Sequence, residues 1–562
     1  MIPKPDQLKF YEWQLYELSL QWEQYLGSKM RVLLEERKCF LGKLHGIDKV
    51  RGNVLIKFPK NRGPRLDMQY CLYLPKDLNS LNGTFSDFAK EAYSTSDHNV
   101  STLYYMDNDC ESVFVGIGNI PIAIFDFFVS KASSNREITI VLGEPEPPYA
   151  YLQNLLEFTK NNGDKINPVD NGSFRYSSFG VDKVSNVITA LENQETIIIQ
   201  GPPGTGKSTV TADLISKFGR NKKVCVAALA NKALIEIAQK DGLKNPNLNV
   251  FKTNLTVSEK NELTYLEAYD DSKVTDDFVL LTTYFKLSNK IKELTEPIYY
   301  FDLLIIEEAS QAFYTTILAF KYLAQRIIII GDPKQLNPIV LNSSNANKIS
   351  KKIYLLINGM NSIMGEENVV NYLLKESFRL NTYNTTLTNF FYEGKLVSKN
   401  QTQPSIKIGS AFQSYFNKEK TTQILLEDSL STLDDLLRYS SKLNNILHDI
   451  HQNNTDLKIC VLVPFRKDVV LLHEALSAVT KNVPNHVTVE TIDRVQGLTV
   501  DICFLILRLD GPANFIFDSN RFNVATSRSK HYNLIVTDKK FKVFNTLLPI
   551  EVKNYINYLT IV

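Results

Sequence analysis

Disulfide frameworks, zinc ribbons, secretion signals and membrane spans each leave marks that this sequence lacks. Its six cysteines, Cys39, Cys71, Cys110, Cys225, Cys460 and Cys503, lie far apart with no CxxC pair. That argues against a structural zinc or a disulfide scaffold and suits a reducing compartment. The opening MIPKPDQLKF has no basic stretch followed by an apolar one, so no signal peptide is expected. Apolar runs such as Ile327–Ile330 and Ile459–Val463 are of strand length and cannot span a bilayer. An intracellular, cytoplasmic chain with no membrane partner is therefore the expectation. Net charge is also small, at +2, so any site for a polyanion has to be a local patch. Low-complexity segments and short-period repeats are missing as well.

What is present is an ordinary globular balance, 44% hydrophobic and 22% charged, over 562 residues. That length exceeds one hydrophobic core and predicts several domains. Apolar residues at Tyr11, Leu15, Leu18, Trp22 and Leu26 recur at helical spacing, predicting a helix over residues 1–27 with one packing stripe. Between 28 and 148 the runs MRVLL, GNVLIKF, QYCLYLP, SVFVGIG and REITIVLG alternate with Gly, Asn, Pro and Asp turns. They predict a small antiparallel barrel. A second helix and a Gly/Asn/Ser-rich linker follow over 149–180. From 181 onward, continuous apolar runs alternate with helical patterns, as buried parallel strands require. Two α/β units are predicted, 181–345 and 346–562.

Gly201-Pro202-Pro203-Gly204-Thr205-Gly206-Lys207-Ser208-Thr209 lies directly after the strand-like TIIIQ and opens a helix-like stretch. Glycines at this spacing let backbone N–H groups close around a phosphate, and the helix N-terminus adds favourable partial charge. Lys207 is placed to reach the β- and γ-phosphates, and the Ser208 hydroxyl to bind Mg²⁺. ATP and Mg²⁺ are the cofactors this pattern implies. About a hundred residues on, LLIIEEASQ ends a strand in Glu307 and Glu308. Two adjacent carboxylates at a buried strand end call for a cation. Glu307 is assigned to the metal and Glu308 to the attacking water. Gln335, past the strand IIIIGDPKQLNP, is a neutral amide able to sense the γ-phosphate.

In that order and spacing, GPPGTGKST, EEASQ and GDPKQLNP resemble motifs I, II and III of superfamily 1 helicases, and of their up-frameshift-like group in particular. VAALANKAL and LLTTY stand where motifs Ia and Ib belong. ESFRLNT, NFFYEGKL, VLVPFRKD, TIDRVQGLTVD and RFNVATSRSK continue the likeness through the second unit, so that it covers about residues 180–540. The resemblance implies an α/β fold with two RecA-like parallel-sheet domains, preceded by a helical stalk and a small β-barrel. It implies an ATP-dependent helicase or translocase moving 5′ to 3′ on single-stranded DNA or RNA. Phe378 would stack on the adenine, and Gln496 and Gly497 would border the nucleotide. Arg379 and Arg528 would reach the γ-phosphate from the second domain as planar, permanently charged donors. Asn231, Thr282, Thr283, Pro464, Phe465 and Thr491 would line the strand path.

The sequence departs from that group at three places. Glu307 replaces the usual Asp, Lys183 stands about where an adenine-reading Gln is expected, and motif V reads QGLT, with Thr499 in place of Glu. Residues 28–66 hold eleven Lys or Arg against three acids, a local excess of +8. Lys43, Lys57 and Arg62 of this stretch are candidate nucleic-acid contacts. A nucleotide-gated clamp that grips a strand without unwinding it is the alternative expectation. A metabolic P-loop kinase would need one nucleotide-binding unit, and two are visible. A monomeric motor is expected, with any recruiting protein on a separate chain.

Overall fold

The computed structural model describes residues 2–59, 62–64, 69–94, 99–107, 112–132, 137–170, 174–272, 277–401, 406–454, 456–476, 487–541 and 547–561. The chain begins with the helix Lys4–Gly27, started by a proline in its first turn. Its buried positions are Gln7, Phe10, Tyr11, Gln14 and Tyr25, so the packing face is turned from the predicted stripe. Gln14 explains the shift: its amide exchanges two hydrogen bonds with the backbone of Leu341, at 3.1 and 2.9 Å. Apolar periodicity cannot register such a contact. The helix packs along Tyr149–Asn162, forming a two-helix stalk.

The barrel is closed by six antiparallel strands. Around it run Gln69–Leu74, Val100–Asp107, Ser112–Gly118, Asn53–Pro59, Phe40–Asp48 and Thr139–Gly143, the last returning to the first. One predicted strand is corrected. MRVLL belongs to the helix Met30–Glu35, with Met30 and Leu33 buried, a spacing of three rather than two.

Beyond the stalk, one parallel sheet has the central order Lys223–Ala228, Phe301–Ile306, Ala324–Gly331, Thr196–Gln200, Val370–Leu373. Alternate residues of its strands feed different cores. Ile198, Ile327 and Ile329 join one, and Ile197, Ile199, Ile328 and Ile330 the other. Both faces are covered, which is why these strands read as unbroken apolar runs. The sheet continues past residue 345 to Val370–Leu373, and takes in Tyr176–Ser177 from the segment read as a linker. A second parallel sheet orders Val487–Thr491, Ile459–Val463, Val500–Leu507, Ser529–Asp538 and Thr422–Glu427. Loops that follow strands of the first sheet face loops that precede Val500–Leu507 and Ser529–Asp538 of the second, and a cleft lies between. Among the described residues, no helix is long and apolar enough to cross a membrane.

Candidate functional site

The cleft holds a cavity of about 280 Å³ lined from both units. Its floor is the loop between Thr196–Gln200 and the helix Lys207–Phe218. Gly206 caps that helix with φ +80°, a conformation glycine adopts without strain. Gly204, at φ +73°, is required for a second reason: a Cβ there would lie 2.4 Å from the Cβ of Arg379. The second unit therefore rests directly on the phosphate loop. Phe378 donates its backbone N–H to Gly204 at 2.9 Å, and Ser377 its hydroxyl to Pro203 at 3.0 Å. Lys207 is folded back onto the carbonyl of Gly201. Burial lowers its pKa, opposed by the charges of Asp332 and Glu307.

Glu307 is buried and accepts a hydrogen bond from the Thr211 hydroxyl. Burial raises its carboxyl to about 7, against the Thr211 hydrogen bond and Lys207. Glu308 follows in the left-handed region, φ +53°, and is raised to about 7 by burial and by the neighbouring Glu307. Its Oε2 is buried without a partner among the described residues.

Both carboxyls take up protons in the folded chain between about pH 4.5 and 7, where the unfolded chain has released them. They therefore favour the fold at low pH, and that contribution is lost as pH rises through 7. In EDTA, Glu307→Gln is expected to shrink the fall in Tm between pH 5.5 and 8 by roughly 2–4 °C. Parallel Tm–pH curves for the two proteins would refute this.

Arg379 and Arg528 close the cavity from the second unit. Arg379 donates to the carbonyl of Ser527 at 3.2 Å. Arg528 donates to Val524 at 2.6 Å, to the Ser527 hydroxyl at 3.1 Å and to Val495 at 3.3 Å. Every one of these acceptors is neutral, and neither arginine has an ion pair among the described residues. Burial and the nearby Arg528 pull Arg379 down to about 9, while burial pulls Arg528 to about 10. Two neighbouring guanidiniums, one buried and one partly so, with only neutral acceptors are an arrangement that would attract an anion.

Several residues absent from the sequence reading complete the arrangement. Asp332, quoted within GDPKQLNP but given no role, accepts from Gln200 at 3.0 Å, Gln335 at 2.9 Å and the Tyr392 hydroxyl at 2.6 Å. Gln335 is thus buried with its amide committed to Asp332. Asn523 of the second unit bonds the Tyr392 hydroxyl at 2.8 Å and the Lys334 carbonyl at 2.6 Å, and Asn520 bonds the Pro333 carbonyl at 3.2 Å. Tyr176 extends the network by donating to Gln200. Glu236, on the helix Asn231–Ala238, accepts from Ser208 Oγ at 2.9 Å. No motif marks it; in sequence it is one acid on an amphipathic helix.

The remaining predicted residues scatter more widely. Thr205, Thr209, Gln496, Gly497, Thr499 and Phe378 line the cavity, with the Phe378 ring 60% exposed at its edge. Lys183 pairs with Glu376 at 2.8 Å, two residues before Phe378. Asn231 opens the helix after Lys223–Ala228, and its buried Oδ1 has no partner among the described residues. Thr283 caps the helix Tyr284–Leu287. Thr282 and Thr491 are buried, one bonded to Thr253 and the other to Glu490. They offer a strand backbone rather than a free hydroxyl. Pro464 is buried, and Phe465 stacks on Phe515 at 5.4 Å between centroids. On the barrel, Lys43 pairs with Glu137 at 2.7 Å, Lys57 lies over the Phe114 ring, and Arg62 is exposed.

A phosphate loop on one parallel sheet, facing paired arginines from a second, defines a P-loop NTPase with two RecA-like domains. Residues 185–340 and 358–540 each match a protein-family profile described as an AAA domain. The DNA replication ATP-dependent helicase/nuclease dna2 of Schizosaccharomyces pombe is 25% identical over 415 residues, 66% of this chain and 28% of that protein. The ATP-dependent helicase upf1 of the same organism is 23% identical over 426 residues, 63% of this chain and 44% of its own length. A crystal structure of Arterivirus nonstructural protein 10 (helicase) aligns with 12% identity and a TM-score of 0.35, covering 87% of this chain and 84% of that one. The two matches together, with these relatives, place residues 185–540 among superfamily 1 helicase domains. The chain spans less than half the length of either of these curated relatives.

Proposed function

We propose that the chain hydrolyses ATP with Mg²⁺ to move 5′ to 3′ along single-stranded DNA or RNA, unwinding duplex ahead of it. The observation that carries this reading is the pair of arginines, Arg528 buried and Arg379 partly so, held by one unit against the phosphate loop of the other with no counterion among the described residues. A bound triphosphate would supply the missing anion and draw the units together, and loss of its γ-phosphate would release them. That cycle is the two-state element a stepping motor needs.

The residues present fit nucleotide and cation. Among the described residues no three His, Cys, Asp or Glu side chains are arranged to hold a metal alone. Mg²⁺, which keeps several waters and binds through one or two carboxylates with substrate phosphates, suits such a site. Ser208 and Glu307 would hold it, and it would neutralise charge on the β- and γ-oxygens. The partnerless Oε2 of Glu308 is free to accept a proton from the attacking water. Gln335 would report the state of the γ-phosphate to Asp332, and through Tyr392 and Asn523 to the second unit.

For the track, the basic barrel stretch supplies charge. The ion pairs Arg37–Glu474 and Glu144–Arg466, at 2.9 and 3.0 Å, tie the barrel side to the second unit. Both are partly exposed, so each contributes at most about 1 kcal/mol and can open as the units move. ATP hydrolysis is expected to rise at least tenfold with single-stranded DNA or RNA, and a duplex with a 5′ tail to be separated. No stimulation by either strand would overturn the motor; stimulation without displacement would favour a nucleotide-gated clamp.

A further inference from the structure

The acids lining the cavity, Glu236, Glu307, Glu308 and Asp332, all come from the first unit, and the charged residues of the second, Arg379, Arg528 and Lys530, are all basic. Three of the four stand directly after sheet strands. Glu236 does not: it reaches in from the middle of the helix Asn231–Ala238. Its Oε1 accepts a hydrogen bond from the Ser208 hydroxyl at 2.9 Å. Its Oε2 points across the cleft, where a Cβ on Gly497 would lie 3.7 Å away with no other heavy atom within 4 Å. One carboxylate thus touches the phosphate loop and borders the second unit.

The geometry assigns Glu236 as a positioning residue of the nucleotide site, orienting Ser208 toward the cation and facing the cation's water shell. This rests on the nucleotide-binding part of the function proposed above. The physical reason lies in the hydroxyl. A free serine rotor samples several orientations, and only some aim an oxygen lone pair into the cavity. Donating a hydrogen bond to Glu236 removes that freedom and leaves the lone pairs for a cation. The outer oxygen of Glu236 then stands free as an acceptor for metal-bound water, at the edge where the second unit closes. Its negative charge also supports Arg379, whose depressed pKa it partly restores, so its field spans the cleft.

The test uses the full chain and a fluorescent, non-hydrolysable ATP analogue, titrated in EDTA and then with Mg²⁺. Glu236→Ala is expected to raise the half-saturating Mg²⁺ concentration by about 10- to 100-fold, the range typical of groups that orient a metal ligand. Affinity in EDTA should be equal or tighter, because a like charge near the phosphates is gone. Glu236→Gln, which keeps an acceptor of the same length, should shift the Mg²⁺ requirement less than Ala and safeguards against a folding defect. An unchanged Mg²⁺ requirement in Glu236→Ala would overturn the assignment. Affinities in EDTA and in Mg²⁺ falling together in both variants would overturn it too, marking a purely structural residue. If the wild-type chain binds no nucleotide in either condition, the nucleotide site itself fails, a result separable from an unaltered Mg²⁺ requirement.

Discussion

Lys207→Ala is expected to lower strand-stimulated ATP turnover by at least about a thousandfold, equivalent to about 4 kcal/mol of lost transition-state stabilisation. The amine is partly buried at the cavity wall and rests on a neutral carbonyl of its own loop, and desolvation lowers its pKa. Such a charge is held at a cost that a triphosphate would relieve, so its interaction with the transferring phosphoryl group is made in a water-poor site, where it is strongest. The variant should keep its fold, since Gly201, Gly204 and Gly206 set the loop without the lysine. Steady-state hydrolysis with and without single-stranded DNA or RNA measures the effect. Turnover within tenfold of wild type would remove Lys207 from the mechanism.

Arg379→Met should move activity and stability in opposite directions. An arginine supplied across a cleft to a transferring phosphoryl group accounts for about 10³–10⁵ in turnover, and a loss within that range is expected here. Yet Arg379, partly buried, and Arg528, fully buried, are neighbouring like charges, and each is pulled below its ordinary pKa. Methionine keeps much of the volume and removes the repulsion. Without nucleotide, the Tm of the variant should therefore equal or exceed that of the wild type by a few degrees. The added stability conferred by a non-hydrolysable ATP analogue should shrink, because the bridging anion loses one of its two donors. A variant that melts lower without nucleotide and keeps the full ligand-induced rise would contradict the reading of these arginines as an anion clamp.

The parts of the site that sequence could show are those built from neighbours along the chain. The phosphate loop needs its glycines within six residues, and Glu307 and Glu308 sit at the end of their own strand, so spacing reveals them. Asp332 is different. Its importance comes from Tyr392 and Asn523, which the fold brings to it from 60 and 191 positions away. Glu236 is harder still, because an acid on a half-exposed helix looks the same whether it meets water or Ser208. Thr282 and Thr491 lie at strand ends, where spacing places them, but the burial that turns their hydroxyls inward is set by packing that spacing does not carry. MRVLL shows the limit for the fold, since β-rich composition outweighed a spacing of three that only packing makes visible.

Asp332 has one more consequence. It accepts from Gln200 and Gln335 of one unit and from Tyr392 of the other, and Asn523 braces the same tyrosine. Parting the units takes away the Tyr392 bond while Gln200 and Gln335 keep theirs, and a buried carboxylate left with a partial set of donors is costlier than one with a full set or one in open water. Intermediate separations are therefore the least stable ones. Motion between the units will be a click rather than a glide, with the pair resting either closed or well apart.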